Sequence, residues 1–228
     1  MLSTYTYPKF EYVCPPEVAE QRSGHYPVVI VGAGPVGLSM AIDLAAQGQQ
    51  VLLLDNDDTV SIGSRGVCYA KRTLEVLDRL NCGAPAVEKG VSWNVGRTFF
   101  GDGEVFNFNL CPQEGHQRPG MVNLQQYYLE DYLVARARQL PNLEMRFKNN
   151  VISVEQDDAQ ATVRVETPDG AYTLTTDWLV AADGARSPIR TMLGLDIEGK
   201  IFMDRFLIAD VVMKADFPAE RWFWFDPP

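Results

Sequence analysis

Three glycines and one acid near the start of the chain have the spacing of a phosphate-binding site. Gly32, Gly34 and Gly37 form the pattern G-x-G-x-x-G between a short apolar run and a helical repeat of apolar residues. Asp55 lies 18 residues past Gly37 and closes a second apolar run. Strand, glycine turn, helix, strand and acid in this order predict a βαβ unit that binds a dinucleotide.

Each glycine in the turn Gly32-Ala33-Gly34-Pro35-Val36-Gly37 has a physical task, and all six residues are candidate cofactor contacts. Gly32 permits a tight turn, Gly34 lets backbone N–H groups approach a pyrophosphate, and Gly37 lets the helix lie close to the strand. The helix start offers free N–H groups to the phosphates. Asp55, followed by Asn56, is placed to accept hydrogen bonds from a ribose diol. A turn that only packs a helix on a sheet would leave Asp55 unexplained, and the motif alone does not separate FAD from NAD.

A second candidate stretch begins at Asp183, directly after another apolar run. Asp183, Gly184 and Arg186 precede Ser187 and Pro188, which are typical of a helix N-cap and first helical position. This junction is therefore predicted at the carboxyl end of the sheet, where open α/β folds bind ligands. An ordinary capped strand–helix junction has the same pattern.

The composition is that of an ordinary globular protein, with 46% hydrophobic and 22% charged residues in a chain of 228. A net charge of −10 argues against binding to nucleic acid or an anionic membrane. Four cysteines without a C-x-x-C pair, and only two histidines, argue against a metal site or a disulfide framework. The same cysteine pattern predicts a reducing, cytoplasmic setting. The sequence has no recognisable signal peptide and no apolar run of membrane-spanning length.

Outside the βαβ unit, the sequence predicts further helices and strands. An amphipathic helix is predicted at 73–80, and Arg65 stands before it as a possible phosphate contact or a solvated surface charge. Residues 91–110 alternate apolar and polar around Gly101-Asp102-Gly103, which predicts an antiparallel hairpin. A helix at 123–140 follows. Further strands are predicted at 143–147, 151–156, 161–166, 172–175 and 178–182, several of them as an antiparallel meander.

The last residues, 201–225, predict further strands and contain four consecutive aromatic residues, Trp222 to Phe225. Such a run requires burial on both faces, whereas an unsupported edge would favour self-association. We therefore expect the chain to be part of a longer protein and a homo-oligomer to be possible. The first residues, 1–26, are expected to form an extension over the domain or a partner, partly ordered at best.

Four of these motifs resemble the FAD-dependent aromatic-ring hydroxylases of the p-hydroxybenzoate and phenol hydroxylase type, particularly the 3-(3-hydroxyphenyl)propionate hydroxylase-like branch. The glycine turn with Asp55 resembles the family's ADP-ribose fingerprint, and Ser64-Arg65-Gly66 resembles its flavin-contacting arginine. Gln126-x-x-Leu129-Glu130-x-x-Leu133 is similar to the helix whose glutamine reaches the flavin ribityl chain. The segment ADGARSPIR, residues 182–190, is similar to the motif that contacts the FAD pyrophosphate and takes part in NAD(P)H binding.

The resemblance implies an α/β fold. A Rossmann-like FAD-binding domain, with βαβ winding, a parallel sheet and an antiparallel meander, is interrupted by an antiparallel substrate-domain sheet. The predicted boundaries are an N-terminal extension at 1–26, an FAD-binding domain at 27–90 and 121–196, and a partial substrate-binding sheet at 91–120 and 197–228.

The resemblance also implies that NAD(P)H reduces FAD and that the reduced flavin, through a C4a-hydroperoxide, transfers one oxygen atom to a small aromatic substrate. No catalytic side chain is assigned, because the cofactor carries the chemistry. The family's later Gly-Asp motif, which closes the flavin ring pocket, has no match, so we expect the 228-residue chain alone to be inactive. Two alternatives are a non-catalytic FAD- or nucleotide-binding module and an NAD-dependent dehydrogenase; the meander and sheet excursion argue against the latter.

Overall fold

The computed structural model describes residues 5–63, 65–207, 209, 211 and 214–227. In these residues the helices are α1 (Pro16–Ala19), α2 (Pro35–Ala46), α3 (Lys71–Arg79), α4 (Gly83–Lys89), α5 (Gln126–Ala137) and α6 (Pro188–Met192). The strands are β1 (Gly24–Val31), β2 (Val51–Leu54), β3 (Cys68–Ala70), β4 (Val91–Trp93), β5 (Val95–Phe100), β6 (Gly103–Asn109), β7 (Met121–Asn123), β8 (Leu143–Arg146), β9 (Asn150–Gln156), β10 (Ala161–Thr167), β11 (Gly170–Ala181) and β12 (Arg221–Phe225).

The main sheet has the strand order β8-β2-β1-β11-β10-β9. Strands β8, β2, β1 and β11 are mutually parallel, and β10 and β9 continue the sheet in antiparallel pairing. The chain moves outward from β1 through β2 and later returns to the other side of β1 with β11. The sheet order therefore reverses at β1, and the carboxyl ends of β1, β2 and β11 meet at this switch point.

The central strands are buried on both faces because successive side chains of a strand point to opposite sides. In β1, Val28 and Ile30 join the core under α2, α3, α4 and α5, while Val29 and Val31 join the core on the opposite face. The α/β architecture with a parallel sheet and an antiparallel meander is therefore confirmed. The domain boundaries given above remain a prediction.

Two boundaries within the main sheet and its neighbouring helix differ from the sequence prediction. The two strands expected at 172–175 and 178–182 form one strand, β11, because it pairs with β1 across the polar pair Thr176 and Asp177. Thr176 is fully buried, and its hydroxyl donates to the carbonyl of Trp178 at 3.0 Å. The helix expected from residue 123 begins at Gln126, since β7 pairs with β3 and β4.

The predicted hairpin is present as β5 and β6, and β12 adds a third strand to it. The pairing of β12 with β5 is parallel, so this sheet is mixed although its hairpin is antiparallel. The strand expected from residue 201 is not present in residues 201–207, 209 and 211; positions 208, 210, 212 and 213 lie outside the described residues. Trp224 of β12 stacks on Phe99 of β5 with ring centroids 4.9 Å apart.

The N-terminal extension lies over the domain, as expected, but the expectation of partial order is wrong for residues 5–23. Phe10 and Glu17 are both buried, with exposed fractions of 6% and 2%. Phe10 stacks on Phe147, directly after β8, at a centroid distance of 4.4 Å. Aromatic stacking and burial thus fix a segment whose sequence has no regular period. Across the part of the chain that the structure describes, no helix has both the length and the apolar character needed to cross a membrane.

Candidate functional site

A cleft of about 320 Å³ lies at the switch point, where the carboxyl ends of β1, β2 and β11 meet. Its walls come from the glycine turn, the loop after β2, the start of α5, the start of β9 and the turn before α6. The lining residues are Val31, Gly32, Gly34, Pro35, Val36, Leu54, Asp55, Asn56, Ser61, Arg65, Gln126, Glu130, Asn149, Asn150, Val151, Ala182, Asp183, Gly184, Pro188 and Ile189. This position is where doubly wound folds hold nucleotide cofactors.

The glycine turn has a geometry that requires two of its glycines. Gly32 has φ of +106°, and a Cβ there would lie 2.4 Å from the carbonyl oxygen of Ala182. A Cβ on Gly37 would lie 1.9 Å from the carbonyl oxygen of Gly32. The helix α2 therefore packs directly on the strand end that precedes it.

Gly34 differs from its two neighbours in this turn. A Cβ built on Gly34 meets no atom within 4 Å, and its φ of −74° is open to any residue. Packing of this chain therefore gives no reason for glycine at this position. The free space lies at the N-cap of α2, whose first N–H groups have no partner within the helix. A bound phosphate group would explain both observations.

Asp55 connects the ends of β1 and β2. Its Oδ2 accepts a hydrogen bond from the backbone N–H of Ala33 at 2.5 Å, and its Oδ1 accepts one from the N–H of Asp57 at 2.7 Å. Burial raises the pKa of Asp55, and the two backbone hydrogen bonds partly oppose this effect. The carboxylate thus shapes the turn in which Ala33 lies and also faces the cleft.

The turn before α6 places Asp183 and Gly184 in the cleft wall. Ser187 accepts a hydrogen bond from the N–H of Arg190 at 3.0 Å, which confirms the predicted helix cap. Asp183 accepts from the N–H of Ile189 at 3.1 Å, so its carboxylate also holds the first turn of the helix. Gly184 has φ of +88°, a conformation that favours glycine. The capped strand–helix junction predicted from sequence therefore also forms part of the cleft wall.

Three polar side chains, of which Glu130 is buried and Ser61 and Gln126 are half-buried, form a network in another part of the cleft wall. Glu130 is 2% exposed, and its carboxylate accepts hydrogen bonds from the N–H and hydroxyl of Ser61 at 2.5 and 2.7 Å. The side-chain amide of Gln126 donates to Glu130 at 2.7 Å and to the hydroxyl of Ser61 at 3.1 Å. The network ties the loop after β2 to the start of α5.

Arg65 is exposed and lines the same cleft as Ser61 and Gln126. Within the described residues, no acidic side chain forms an ion pair with Arg65, whereas Ser64 lies outside them. An arginine that faces a cleft without an acidic partner is available to an anionic group.

Ten of the thirteen predicted cofactor contacts line this one cleft: Gly32, Gly34, Pro35, Val36, Asp55, Asn56, Arg65, Gln126, Asp183 and Gly184. Three do not. Ala33 uses its N–H for Asp55, Gly37 is buried on the face of α2 that packs on the end of β1, and Arg186 is exposed outside the cleft lining. All thirteen remain predictions as cofactor contacts.

Sequence reasoning missed several lining residues. Glu130 carried a usable signal, because it stands four residues after Gln126 and therefore on the same helix face. Ser61 and Asn149 belong to irregular segments between strands, and Asn150 is the first residue of β9. Their position depends on how the 56–63 loop and the end of β8 fold, and neither pattern nor spacing encodes that.

Residues 25–226 match the family described as the FAD binding domain. Among curated relatives, the para-nitrophenol 4-monooxygenase of Pseudomonas sp. strain WBC-3 is 34% identical over 187 residues, which cover 81% of this chain and 46% of the relative. The 3-(3-hydroxy-phenyl)propionate/3-hydroxycinnamic acid hydroxylase 2 of Burkholderia vietnamiensis strain G4 is 32% identical over 81% of this chain and 34% of its own length.

Comparison with solved structures shows the same similarity. The crystal structure of p-nitrophenol 4-monooxygenase PnpA from Pseudomonas putida DLL-E4 superposes with a TM-score of 0.73 at 31% identity, over 78% of this chain and 46% of that one. The fold and the cleft define a dinucleotide-binding flavoprotein domain. The chain belongs to the FAD-binding domain family of flavin-dependent monooxygenases, which confirms the resemblance and the FAD cofactor inferred from sequence. It spans less than half the length of these relatives.

Proposed function

We propose that this cleft binds FAD and that the chain is the FAD-binding part of an NAD(P)H-dependent monooxygenase that hydroxylates small phenolic or other aromatic compounds. The observation that carries the proposal is the open space at Gly34, beside the free N–H groups of α2. A dinucleotide pyrophosphate fills such a space and is bound there by backbone N–H groups and the helix dipole.

The residues around the cleft suggest how the cofactor lies. Asp55 and Asn56 would contact the adenosine ribose, since they extend from the end of β2. Asp183 and Gly184 would lie near the pyrophosphate, at the end of β11. Arg65 and Gln126 would then contact the ribityl chain of FAD. The sheet of β5, β6 and β12, which contributes no residue to the cleft lining, would then belong to the substrate-binding part.

Bound FAD supplies the electron transfer and oxygen activation that hydroxylation of an aromatic ring requires. The side chains of this cleft bind and orient the cofactor. The N–H of Ala33 holds the carboxylate of Asp55 in a position where it can bind a hydroxyl group. The network of Ser61, Glu130 and Gln126 fixes the part of the cleft wall formed by the loop after β2 and the start of α5. No catalytic side chain is assigned, because the described residues line a cofactor cleft and the ring end of FAD is not placed by them.

The names of the relatives support the substrate class. A nitrophenol monooxygenase and a hydroxyphenylpropionate hydroxylase both act on small phenols, and both share this domain. The reducing, cytoplasmic setting inferred from the cysteine pattern is also part of the proposal. A homo-oligomer, with the apolar face of the β12 sheet buried between copies, also remains a proposal.

The first experiment measures FAD binding by the purified chain through flavin absorbance and fluorescence quenching. Gly34→Val should abolish binding, because the added side chain fills the space proposed for the pyrophosphate, while the fold remains intact. Gly199→Val is the matched control: a Cβ there also meets no atom within 4 Å, and Gly199 is not part of the cleft lining. Unchanged FAD affinity of a folded Gly34→Val variant would contradict the proposed site.

The same preparation distinguishes the alternatives. Retention of FAD, with reduction of the bound flavin by NADH or NADPH under anaerobic conditions, supports the monooxygenase. Because the chain alone is expected to be inactive, it is the absence of bound flavin after purification that would favour a non-catalytic nucleotide-binding module. Binding of NAD without FAD would favour a dehydrogenase, which the antiparallel strands β9 and β10 already argue against, because they replace a second wound half.

A further inference from the structure

Residues 5–20 lie against two walls of the cleft from the outside, and we call this segment the N-terminal strap. Its first contact is with the loop after β2, residues 56–63, which places Asn56 and Ser61 in the cleft lining. Its second contact is with the first turn of α5, which carries Gln126.

Backbone and side-chain hydrogen bonds join the strap to the 56–63 loop. The N–H of Phe10 donates to the carbonyl of Asp58 at 2.7 Å, and the carbonyl of Pro8 accepts from the hydroxyl of Thr59 at 2.6 Å. The hydroxyl of Tyr7 accepts from the N–H of Gly63 at 3.0 Å. These bonds provide hydrogen-bond partners in both halves of the loop, for Asp58 and Thr59 in the first half and for Gly63 in the second. Since the loop has no helix or strand of its own, the strap supplies the partners that a regular element would otherwise provide.

Aromatic contacts join the strap to α5. Tyr5 stacks on Tyr127 at a centroid distance of 4.3 Å and an interplanar angle of 30°, and it lies edge-on to Tyr128 at 4.8 Å. Tyr127 directly follows Gln126. The strap therefore contacts both walls that the network of Ser61, Glu130 and Gln126 joins from the inside.

The far end of the strap is fixed independently of the cleft. Glu17 forms an ion pair with Arg146 at 2.8 Å, with side-chain exposed fractions of 0% and 4%. The hydroxyl of Tyr12 donates to Thr167 of β10 at 3.1 Å. Because these anchors bond to residues of β8 and β10 and not to the 56–63 loop, the region before them, residues 5–10, can be perturbed without detaching the whole segment.

We propose that the N-terminal strap is a positioning element for the FAD site: residues 5–10 hold the 56–63 loop and the start of α5 in the arrangement that binds the cofactor. The inference rests on the proposed placement of FAD in the cleft. Coupling between two sites is reciprocal, so bound FAD must also stabilise the docked strap.

The test compares two conservative substitutions in the same segment of the full chain. Tyr7→Phe removes the hydroxyl that accepts from Gly63 and keeps the ring. Tyr12→Phe removes a hydroxyl bound to β10, away from the 56–63 loop. One hydrogen bond corresponds to a change of about three- to tenfold, so Tyr7→Phe should raise the FAD dissociation constant by that factor, and Tyr12→Phe should leave it unchanged.

Hydrogen exchange provides the second measurement. Addition of FAD should slow exchange at the amides of Phe10 and Gly63 in the wild-type chain, and less so in Tyr7→Phe. Equal FAD affinity of wild type and Tyr7→Phe would overturn the proposal, as would an equal loss in both variants, which would indicate general stability only. Failure of the FAD site itself is distinguishable, because it would appear as normal FAD binding by Gly34→Val.

Discussion

The carboxylate of Asp55 accepts a hydrogen bond from the backbone N–H of Ala33, with 2.5 Å between the two atoms. The acid at the end of β2 therefore holds the glycine turn at the end of β1, 22 residues away in sequence. Sequence motifs treat the glycines and the acid as separate contacts to a ligand. In this structure they form one unit, since the acid fixes the turn that presents the N–H groups of α2.

Asp55→Ala should weaken FAD binding by about ten- to a hundredfold, because it removes charge-assisted hydrogen bonds to the ribose and loosens the turn at Ala33. Each carboxylate oxygen accepts more than one hydrogen bond, so the bonds from Ala33 and Asp57 leave capacity for ribose hydroxyls. Fluorescence titration measures the change. Asp158→Ala, an exposed acid in the loop between β9 and β10, is the control for lost charge and should not alter affinity. Unchanged affinity of Asp55→Ala would remove the residue from the site.

Gln126→Ala should weaken FAD binding by about three- to tenfold, since it removes a cleft-facing amide that also donates to Glu130 and Ser61. The neighbouring residue provides the matched control. Gln125 is exposed at the N-cap of α5, and its side chain makes no capping hydrogen bond there. Gln125→Ala should therefore bind FAD as the wild type does, and equal behaviour of both variants would show that the amide at 126 makes no contact.

Gly37→Ala should destabilise the fold by about 1–3 kcal/mol or more, because its Cβ would meet the backbone oxygen of Gly32 at 1.9 Å. The backbone of Gly32 and the Cβ of Ala182, 3.2 Å away, leave little room for adjustment. Gly34→Ala should change the free energy of unfolding by no more than about 0.5 kcal/mol, since its Cβ meets no atom within 4 Å. Urea unfolding measures both, and equal stability of the two variants would contradict the close packing of α2.

The βαβ unit was predictable from sequence because local patterns determine it. Apolar runs, the glycine turn and Asp55 gave β1, α2 and β2 within a few residues, and Ser187 with Pro188 gave the start of α6. Such signals depend on the 2- and 3.6-residue periods and on caps, which a sequence displays directly. Most predicted cofactor contacts line one cleft for the same reason, as they stand at the ends of these elements.

Parts that depend on distant partners were not predictable. The polar residues Thr176 and Asp177 suggested a break, yet pairing with β1 carries β11 through them. The extension of residues 5–23 has no period, and its order comes from contacts such as Phe10 on Phe147, more than a hundred residues away in the chain. Glu17 stands in a Pro-rich segment, and its buried partner Arg146 lies on β8. No local pattern indicates such a pair.

Glu17→Gln should destabilise the fold by about 3 kcal/mol, because removal of one partner of a buried ion pair leaves the other insufficiently compensated. Arg146 keeps its second acidic partner, Glu144 at 2.6 Å, which limits the loss. This second partner is also the matched control. The side chain of Glu144 is 49% exposed, so Glu144→Gln should cost no more than about 1 kcal/mol. If urea unfolding at neutral pH shows an equal loss of stability in Glu17→Gln and Glu144→Gln, burial of Glu17 does not make its ion pair with Arg146 more important than that of Glu144.

The stability difference between wild type and Glu17→Gln should depend on pH. Burial opposes ionisation of Glu17, but hydrogen bonding by Tyr26 and the charge of Arg146 outweigh it and lower the pKa of Glu17. The unfolded chain therefore binds this proton at higher pH than the folded chain does, so the stabilisation is fully present above the ordinary glutamate pKa of about 4.3 and declines as pH falls below it. Protonated Glu17 is neutral, as glutamine is. The free energies of unfolding of wild type and Glu17→Gln should therefore converge in acid. Urea unfolding at pH 7, 5 and 3.5 measures this, with Glu144→Gln as reference; a difference that stays constant down to pH 3.5 would show that Glu17 does not stabilise the fold as an anion.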